Sequence, residues 1–301
     1  MRSPSRPVTK NKRPLRSRSL DLLSTNELVR AIHREDEKVP RAVAGELPAI
    51  ARAVDAIVRS LRDGGRLIYV GAGTSGRLAT LDAAECPPTF GVSPELVQAV
   101  IAGGPNALTH AAEGAEDSAV QGARDLAKRR LQRQDAVVGL SASGRTPYVL
   151  GALRLARSRG CVTIGITANR RSEIAEAADI VIAPRTGPEI IHGSTRMKAG
   201  TAQKMILNTL STAAMVRLGR VYKNWMVDVS LANHKLRGRG LRILREAAEV
   251  DESKAAAALD KAHGNLRLAL VMLKAGVDAT TAKRRLRQAE GDLRKALGER
   301  I

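Results

Sequence analysis

Tyr69-Val70-Gly71-Ala72-Gly73-Thr74-Ser75-Gly76-Arg77 decides how this chain folds. It starts in a short apolar run, residues 66–70, then breaks into small residues before a helical stretch opens. A strand buried on both faces that passes through a glycine-rich loop into a helix is the repeating unit of a parallel α/β sheet. In such a sheet ligands bind beyond the carboxyl ends of the strands. The helix end there is positive and presents free N–H groups, so it favours a phosphate, and Thr74 and Ser75 add hydroxyl donors.

The same rhythm recurs outward from this point. Apolar runs at 97–102, 136–140, 162–166 and 180–183 alternate with helical stretches. The pattern predicts a doubly wound, parallel five-stranded sheet of the α/β class. On the N-terminal side, Ser24-Thr25-Asn26-Glu27 offers a cap for a helix carrying Leu28, Val29 and Ile32. A second helix is expected over 42–62, ended by Gly64-Gly65. Residues 198–218, rich in Ala, Leu and Met, predict a long buried helix. From about 247 the strands stop, and 252–262, 265–275 and 279–297 read as three short helices broken at Gly264 and Gly276. Residues 1–18 are basic, rich in Pro and Ser and free of acids, which predicts a disordered tail. The expected organisation is therefore tail 1–18, sheet domain 19–246 and small helical domain 247–301.

Composition narrows the function classes. Hydrophobic residues make up 44% of the 301 positions but aromatics only 2%, so the core must be built from Ala, Leu, Val and Ile. No apolar run approaches the roughly 20 residues of a membrane helix, and no signal-peptide core follows the basic N-terminus. Two cysteines, Cys86 and Cys161, make no disulfide framework, and the expected compartment is the cytoplasm. The formal charge of +20 invites a nucleic-acid role. The basic residues are spread out, however, and aromatics for base stacking are scarce. A basic surface that attracts anionic substrates is the better reading, with no specific nucleic-acid partner.

Two further loops share the design of the first. Leu140-Ser141-Ala142-Ser143-Gly144-Arg145-Thr146-Pro147 also follows a buried run and opens a helix. Gly193-Ser194-Thr195-Arg196-Met197-Lys198 repeats the hydroxyls before the long helix, which adds Ser194 and Thr195 to the substrate-binding candidates. The first loop matches G-x-G-x-x-G, but the run at 97–102 ends in Gly103-Gly104, where a dinucleotide site needs an acidic residue for the ribose. Doubled Ser/Thr loops fit a monophosphate. Two acidic clusters lie one loop away. In Leu81-Asp82-Ala83-Ala84-Glu85-Cys86-Pro87-Pro88 the prolines are expected to end the helix at Glu85. Glu113-Gly114-Ala115-Glu116-Asp117-Ser118 is expected to open the helix after the second strand. Two carboxylates can serve as an acid/base pair when their surroundings differ. The five histidines show no metal-ligand spacing, and His192, beside the third loop, reads as structural.

Taken in order, GAGTSGRL, DAAECPPTFGV, IAGG, EGAEDS, SASGRTPYV, GPEIIHGSTRMKAGTAQKMILNTLST and NWMVDV resemble the bacterial N-acetylmuramic acid 6-phosphate etherases. The resemblance runs from about Leu20 to the C-terminus. It implies a sugar isomerase (SIS) phosphosugar-binding domain followed by a small helical domain, a homodimer, and no metal or organic cofactor. It places the family's catalytic glutamates at Glu85 and Glu116, and sugar-phosphate contacts at Thr74, Ser75, Ser141 and Ser143. The implied reaction yields N-acetylglucosamine 6-phosphate and D-lactate by elimination and then hydration. The expected roles are Glu85 as proton donor to the lactyl oxygen and Glu116 as base at C2. Ala79 and His192 depart from the family's usual Gly and Thr. A non-catalytic sugar-phosphate-binding regulatory protein is the rival reading; it should carry a DNA-binding helix-turn-helix or a second SIS copy, and neither is legible. An aldose–ketose isomerase has no reason to keep the AECPPT segment.

Overall fold

The computed structural model describes residues 19–229, 231 and 234–299. The basic segment 1–18, expected to be a disordered tail, lies outside the described residues.

Helix α1 (Thr25–Asp36) starts where its sequence signal lies. The Ser24 side chain accepts from the Glu27 N–H, and the Glu27 carboxylate accepts from the Ser24 N–H at 2.9 Å. This reciprocal pairing satisfies two otherwise orphaned donors. The single helix expected over 42–62 is two, α2 (Lys38–Ala44) and α3 (Leu47–Arg62), separated at Gly45-Glu46.

Five parallel strands follow: β1 (Leu67–Gly71), β2 (Val97–Ile101), β3 (Ala136–Leu140), β4 (Val162–Ile166) and β5 (Ile180–Ile182). Their order in the sheet is β2-β1-β3-β4-β5, with Gly71 paired in register to both Ile101 and Leu140. Between them run α4 (Gly73–Phe90), α5 (Ala119–Ala127), α6 (Pro147–Ser158) and α7 (Glu173–Ala177), and α8 (Lys198–Arg217) follows β5. The strands are mostly apolar because both faces are covered, the exceptions being buried Gln98 of β2 and Thr163 of β4. Leu67 and Tyr69 enter a core with α3, α4 and α8, while Ile68 and Val70 enter a second core with α5, α6 and α7. The doubly wound five-stranded α/β fold is the expected one.

The C-terminal region differs from its expectation. After a two-strand ribbon, β6 (Val221–Tyr222) and β7 (Trp225–Met226), come α9 (His234–Ala248), α10 (Glu252–Lys261), α11 (Leu266–Ala275), α12 (Ala279–Gln288) and α13 (Leu293–Leu297). The third expected helix is two, because Glu290 and Gly291 both take positive φ. A hydrophobic cluster gathers Tyr222, Ile243, Leu244 and Ala247 with Leu259, Leu270 and Leu293, so it begins before residue 247. The Arg267 guanidinium bonds Asp228, Gly219 O and Gly291 O, which ties these helices back to the ribbon.

Helix α4 also departs from expectation. Pro87 and Pro88 lie inside it, and it stops at Gly91, which is left-handed with its N–H on Pro87 O at 2.9 Å. The proline φ is compatible with a helix; the prolines stand in the last turn, and their missing N–H groups leave the carbonyls of Ala83 and Ala84, one turn earlier, without those bonds. Glu85 is therefore in the penultimate turn, not at the helix end.

Candidate active site

Three loops converge at the carboxyl edge of the sheet. The first holds α4 close against the strands: a Cβ at Gly76 would stand 2.5 Å from Ile101 Cγ1 and 2.9 Å from Gly71 O, so only glycine fits. Ala72 is the N-cap residue and no side chain caps it. A helix leaves its first N–H groups without intrahelical partners, and those of Gly73, Thr74 and Ser75 face the loop side. Gly73 is exposed, with open space where a side chain would stand.

The second loop, between β3 and α6, is a hydroxyl network. Buried Ser141 accepts from Gly144 N at 3.0 Å and lies 2.8 Å from Thr146 Oγ1 and 3.3 Å from Ser143 Oγ. Gly144 turns the chain with φ +72°, and a Cβ there would meet Ser172 Oγ at 2.2 Å. Exposed Ser143 accepts from Arg145 N at 3.2 Å and otherwise meets only Ser141 Oγ, in the 3.3 Å contact where either hydroxyl can donate. Its hydroxyl can turn from that long contact to a ligand, whereas buried Ser141, bonded to Gly144 and Thr146 as well, is committed to holding the loop.

The third loop precedes α8. Thr195 is exposed and Ser194 half-buried, and Thr195 O accepts from Gly200 N at 3.1 Å. Gly200 faces Thr74 Cγ2, 3.4 Å from its would-be Cβ, so this loop abuts the first. The α8 N-terminus is not open. Glu189 accepts from Lys198 N at 3.0 Å and from Ala199 N at 2.9 Å, occupying it with a carboxylate of the chain's own. Beside it Lys198, buried, donates to Glu35 of α1 at 2.5 Å.

A cavity of about 190 Å³ opens beside the first loop, lined by Ala72, Gly73, Arg77, Ala102, Glu113 and Glu116 among others. Arg77 fixes its far wall, donating to Ala107 O at 3.0 Å, Leu108 O at 3.1 Å and His110 O at 3.0 Å. Glu116 is exposed and lies in a 3₁₀ turn (Ala115–Asp117) before α5, whose N-cap is Ser118, accepting from Gln121 N at 3.1 Å. It does not open a helix, as the sequence led us to expect. Glu85 is exposed as well, but twelve residues along α4 from Gly73, about 18 Å at 1.5 Å per residue. It does not line the cavity. One copy of the chain thus gathers Thr74, Ser75, Ser141, Ser143, Thr195 and Glu116 at one edge and leaves Glu85 apart.

Comparison with known proteins meets this geometry. Sequence profiles of the glucokinase regulatory protein N-terminal SIS domain and of the SIS domain match residues 49–157 and 116–213. The N-acetylmuramic acid 6-phosphate etherase of Serratia proteamaculans is 55% identical over 92% of this chain and 94% of its own. That of Symbiobacterium thermophilum is 58% identical over 87% of each. The chain belongs to the N-acetylmuramic acid 6-phosphate etherase family. Among solved structures, a phosphoheptose isomerase from Francisella tularensis matches with TM-score 0.51 and 17% identity, over 64% of this chain and 100% of that one; the likeness is one of fold.

Several residues of this etherase-family site were not singled out from the sequence. Asp82, buried between β1, α4 and α8, accepts from Tyr69 Oη at 2.9 Å and Ser211 Oγ at 3.1 Å, and its burial raises its pKa. Gln203 of α8, also buried, takes the Ser75 hydroxyl on Oε1 at 2.9 Å. Helix α8 carries several polar residues, so the sequence offered no particular signal for Gln203. Burial pushes the Cys86 thiol up to about 12 and that of Cys161 up to about 11, so neither is a ready nucleophile. His192, expected to be structural, is exposed on the third loop. Among the described residues no three His, Cys, Asp or Glu side chains gather as a metal ion would need.

Proposed function

We propose that this chain cleaves the lactyl ether of N-acetylmuramic acid 6-phosphate, giving N-acetylglucosamine 6-phosphate and D-lactate in cell-wall amino-sugar recycling or catabolism. Identity of 55% over nearly the whole chain to an etherase carries the reading. The uncapped α4 N-terminus supports it, because a sugar phosphate supplies the anion this helix end lacks. The regulatory-domain profile covers residues 49–157 alone, while the etherase relatives extend through the C-terminal helices.

In the open-chain sugar the aldehyde acidifies the C2 proton. Glu116 takes that proton, the electrons form the C2–C3 double bond, and the C3–O bond breaks. Glu85 gives a proton to the departing lactyl oxygen. Water then adds across the double bond, its hydroxyl to C3 and its proton to C2. The 6-phosphate is held by the free N–H groups of Gly73 to Ser75 and by Ser75 and Ser143, with Thr74, Ser141, Ser194 and Thr195 shaping the cradle. No metal or organic cofactor takes part in this scheme.

The protein acts in the cytoplasm as a homodimer, its sheet domain binding the sugar and its C-terminal helices forming a second unit whose core starts near Tyr222. An exposed stripe on α4 and α8 supports the dimer: Leu81, Thr201, Asn208, Thr212 and Val216, with half-buried Lys204 among them donating to Asn208 at 2.5 Å. Two copies meeting there bring Glu85 of one toward the cradle of the other. Incubation with N-acetylmuramic acid 6-phosphate and an assay for D-lactate tests the activity. Tight binding of the phosphosugar with no lactate from folded protein would favour the regulatory reading instead.

A further inference from the structure

Ser75 has one hydroxyl hydrogen, and in this structure it is already in use. The hydroxyl donates to Gln203 Oε1 at 2.9 Å, in a pocket where Ser75 is 9% and Gln203 3% exposed. The other end of the Gln203 amide is stranded: Nε2 is buried and finds no acceptor among the described residues. Native proteins rarely leave a buried donor unpaired, since the cost is that of a lost hydrogen bond. The orphan sits behind an uncapped helix N-terminus, where Thr74 and Ser75 meet α8.

A phosphate dianion accepts hydrogen bonds and donates none, so Ser75 can serve it only by turning its hydrogen toward it. Rotating the Gln203 amide by half a turn does this. Nε2 then donates to Ser75 Oγ, whose single hydrogen is released toward the ligand, while Oε1 takes the place of Nε2. The two amide ends are nearly the same size, and the terminal sp³–sp² torsion is soft. The exchange removes the stranded donor and leaves a carbonyl unpaired, which buried sites tolerate better.

We propose that Gln203 is the positioning residue that sets the direction of the Ser75 hydroxyl: with its amide turned so that Nε2 donates to Ser75 Oγ, the serine hydrogen is aimed at a sugar phosphate. This rests on the reading that Ser75 contacts the phosphate. It predicts that Gln203 acts on phosphate affinity through Ser75 and does not touch the substrate.

The test is a double-mutant cycle on KM for the phosphosugar, with Ser75→Ala, Gln203→Met and the double variant. Ser75→Ala and Gln203→Met should each raise KM about tenfold, and the double variant no more than Ser75→Ala alone. Independent, multiplying effects overturn the inference and leave the phosphate reading intact. An unchanged KM for Ser75→Ala overturns both. Gln203→Glu adds a readout that mere packing would not move. When protonated, the introduced acid donates to Ser75 as the amide does; when ionised it only accepts and locks the serine hydrogen away. KM of this variant should climb with pH relative to the unmodified protein, while a constant ratio from pH 5 to 9 counts against the proposal. Should Gln203→Met fail to fold, the pH comparison is repeated with Gln203→Glu in the Ser75→Ala background: loss of the pH effect there supports the inference, and its persistence, which charge repulsion alone would produce, overturns it.

Discussion

Tyr69 donates its hydroxyl to Asp82 Oδ2 at 2.9 Å inside the sheet domain. Ser211 donates to the other oxygen at 3.1 Å, so a single buried carboxylate joins β1, α4 and α8. These are the elements that carry the first loop, Glu85 and Gln203, and the network fixes how α4 lies against the sheet.

Burial pushes the Asp82 carboxyl above its ordinary value near 3.8, against the pull of its two hydrogen bonds. The folded state thus holds this proton more tightly than the unfolded state does. The stability this contributes is present below the ordinary value and is lost as pH rises through the raised one. Asp82→Asn removes that loss, because its amide can donate to Ser211, whose hydroxyl also reaches Leu207 O at 3.1 Å. Asp82→Ala leaves the Tyr69 hydroxyl buried and unpaired, costing about 1–3 kcal/mol. Urea unfolding between pH 4 and 8 should find Asp82→Asn flatter with pH and more stable than Asp82→Ala. Equal stability of the two variants would mean that the Tyr69 hydroxyl does not need this partner.

The two serines of the second loop should separate. Ser143→Ala removes a free donor at an exposed position and should weaken phosphosugar binding by about 1–3 kcal/mol with little change in melting temperature. Ser141→Ala removes the acceptor of the Gly144 N–H and the partner of Thr146, so it should lower the melting temperature as well. Calorimetric titration and thermal melts on both variants check this. Equal thermal losses would show that Ser143 is scaffolding too.

The sheet was legible because each strand is a short, largely apolar run, with only Gln98 and Thr163 polar, as burial on both faces demands. The α4 end was misread since a double proline was taken as a stop. In the last turn of a helix it removes only two bonds, and Gly91 supplies the real end. The hydroxyl loops were legible as a set, but not the division of labour within them. Whether Ser75 or Ser141 keeps a free proton depends on Gln203 and Thr146, and Gln203 lies 128 residues from Ser75 in the chain. The distance of Glu85 from the first loop has a local cause: twelve residues of α4 separate it from Gly73.

That separation makes its own prediction. If each site takes Glu116 from one copy and Glu85 from its partner, two inactive variants should rescue each other. Mixing Glu85→Gln and Glu116→Gln proteins under subunit exchange makes half the dimers mixed, each with one intact site, so activity should return to about a quarter of normal. A site built from one copy gives no recovery at any mixing ratio. Lactate release after co-refolding the two variants distinguishes these outcomes.

The last prediction separates base from acid. Neither glutamate stands at a helix end that could set its role: Glu116 precedes a capped helix, and Glu85 lies inside one. Position relative to the cradle sets it instead. With the 6-phosphate at the α4 N-terminus, the rest of the sugar must lie in or beside the cavity that Glu116 lines with Gly73 and Arg77. Two carboxylates of the same copy line that cavity, Glu113 and Glu116, and the proposed reaction gives the C2 proton to Glu116. Incubated with product in deuterium oxide, Glu116→Gln should fail to exchange the C2 hydrogen. Glu85→Gln should retain exchange, since losing the acid for the leaving group does not prevent deprotonation beside the aldehyde. It should still release lactate about 10²–10⁴-fold more slowly than the unmodified protein, the usual worth of general acid assistance. Mass spectrometry of the recovered sugar reads the result. Deuterium at C2 with Glu116→Gln, and none with Glu85→Gln, would exchange the two roles while keeping both residues in the reaction.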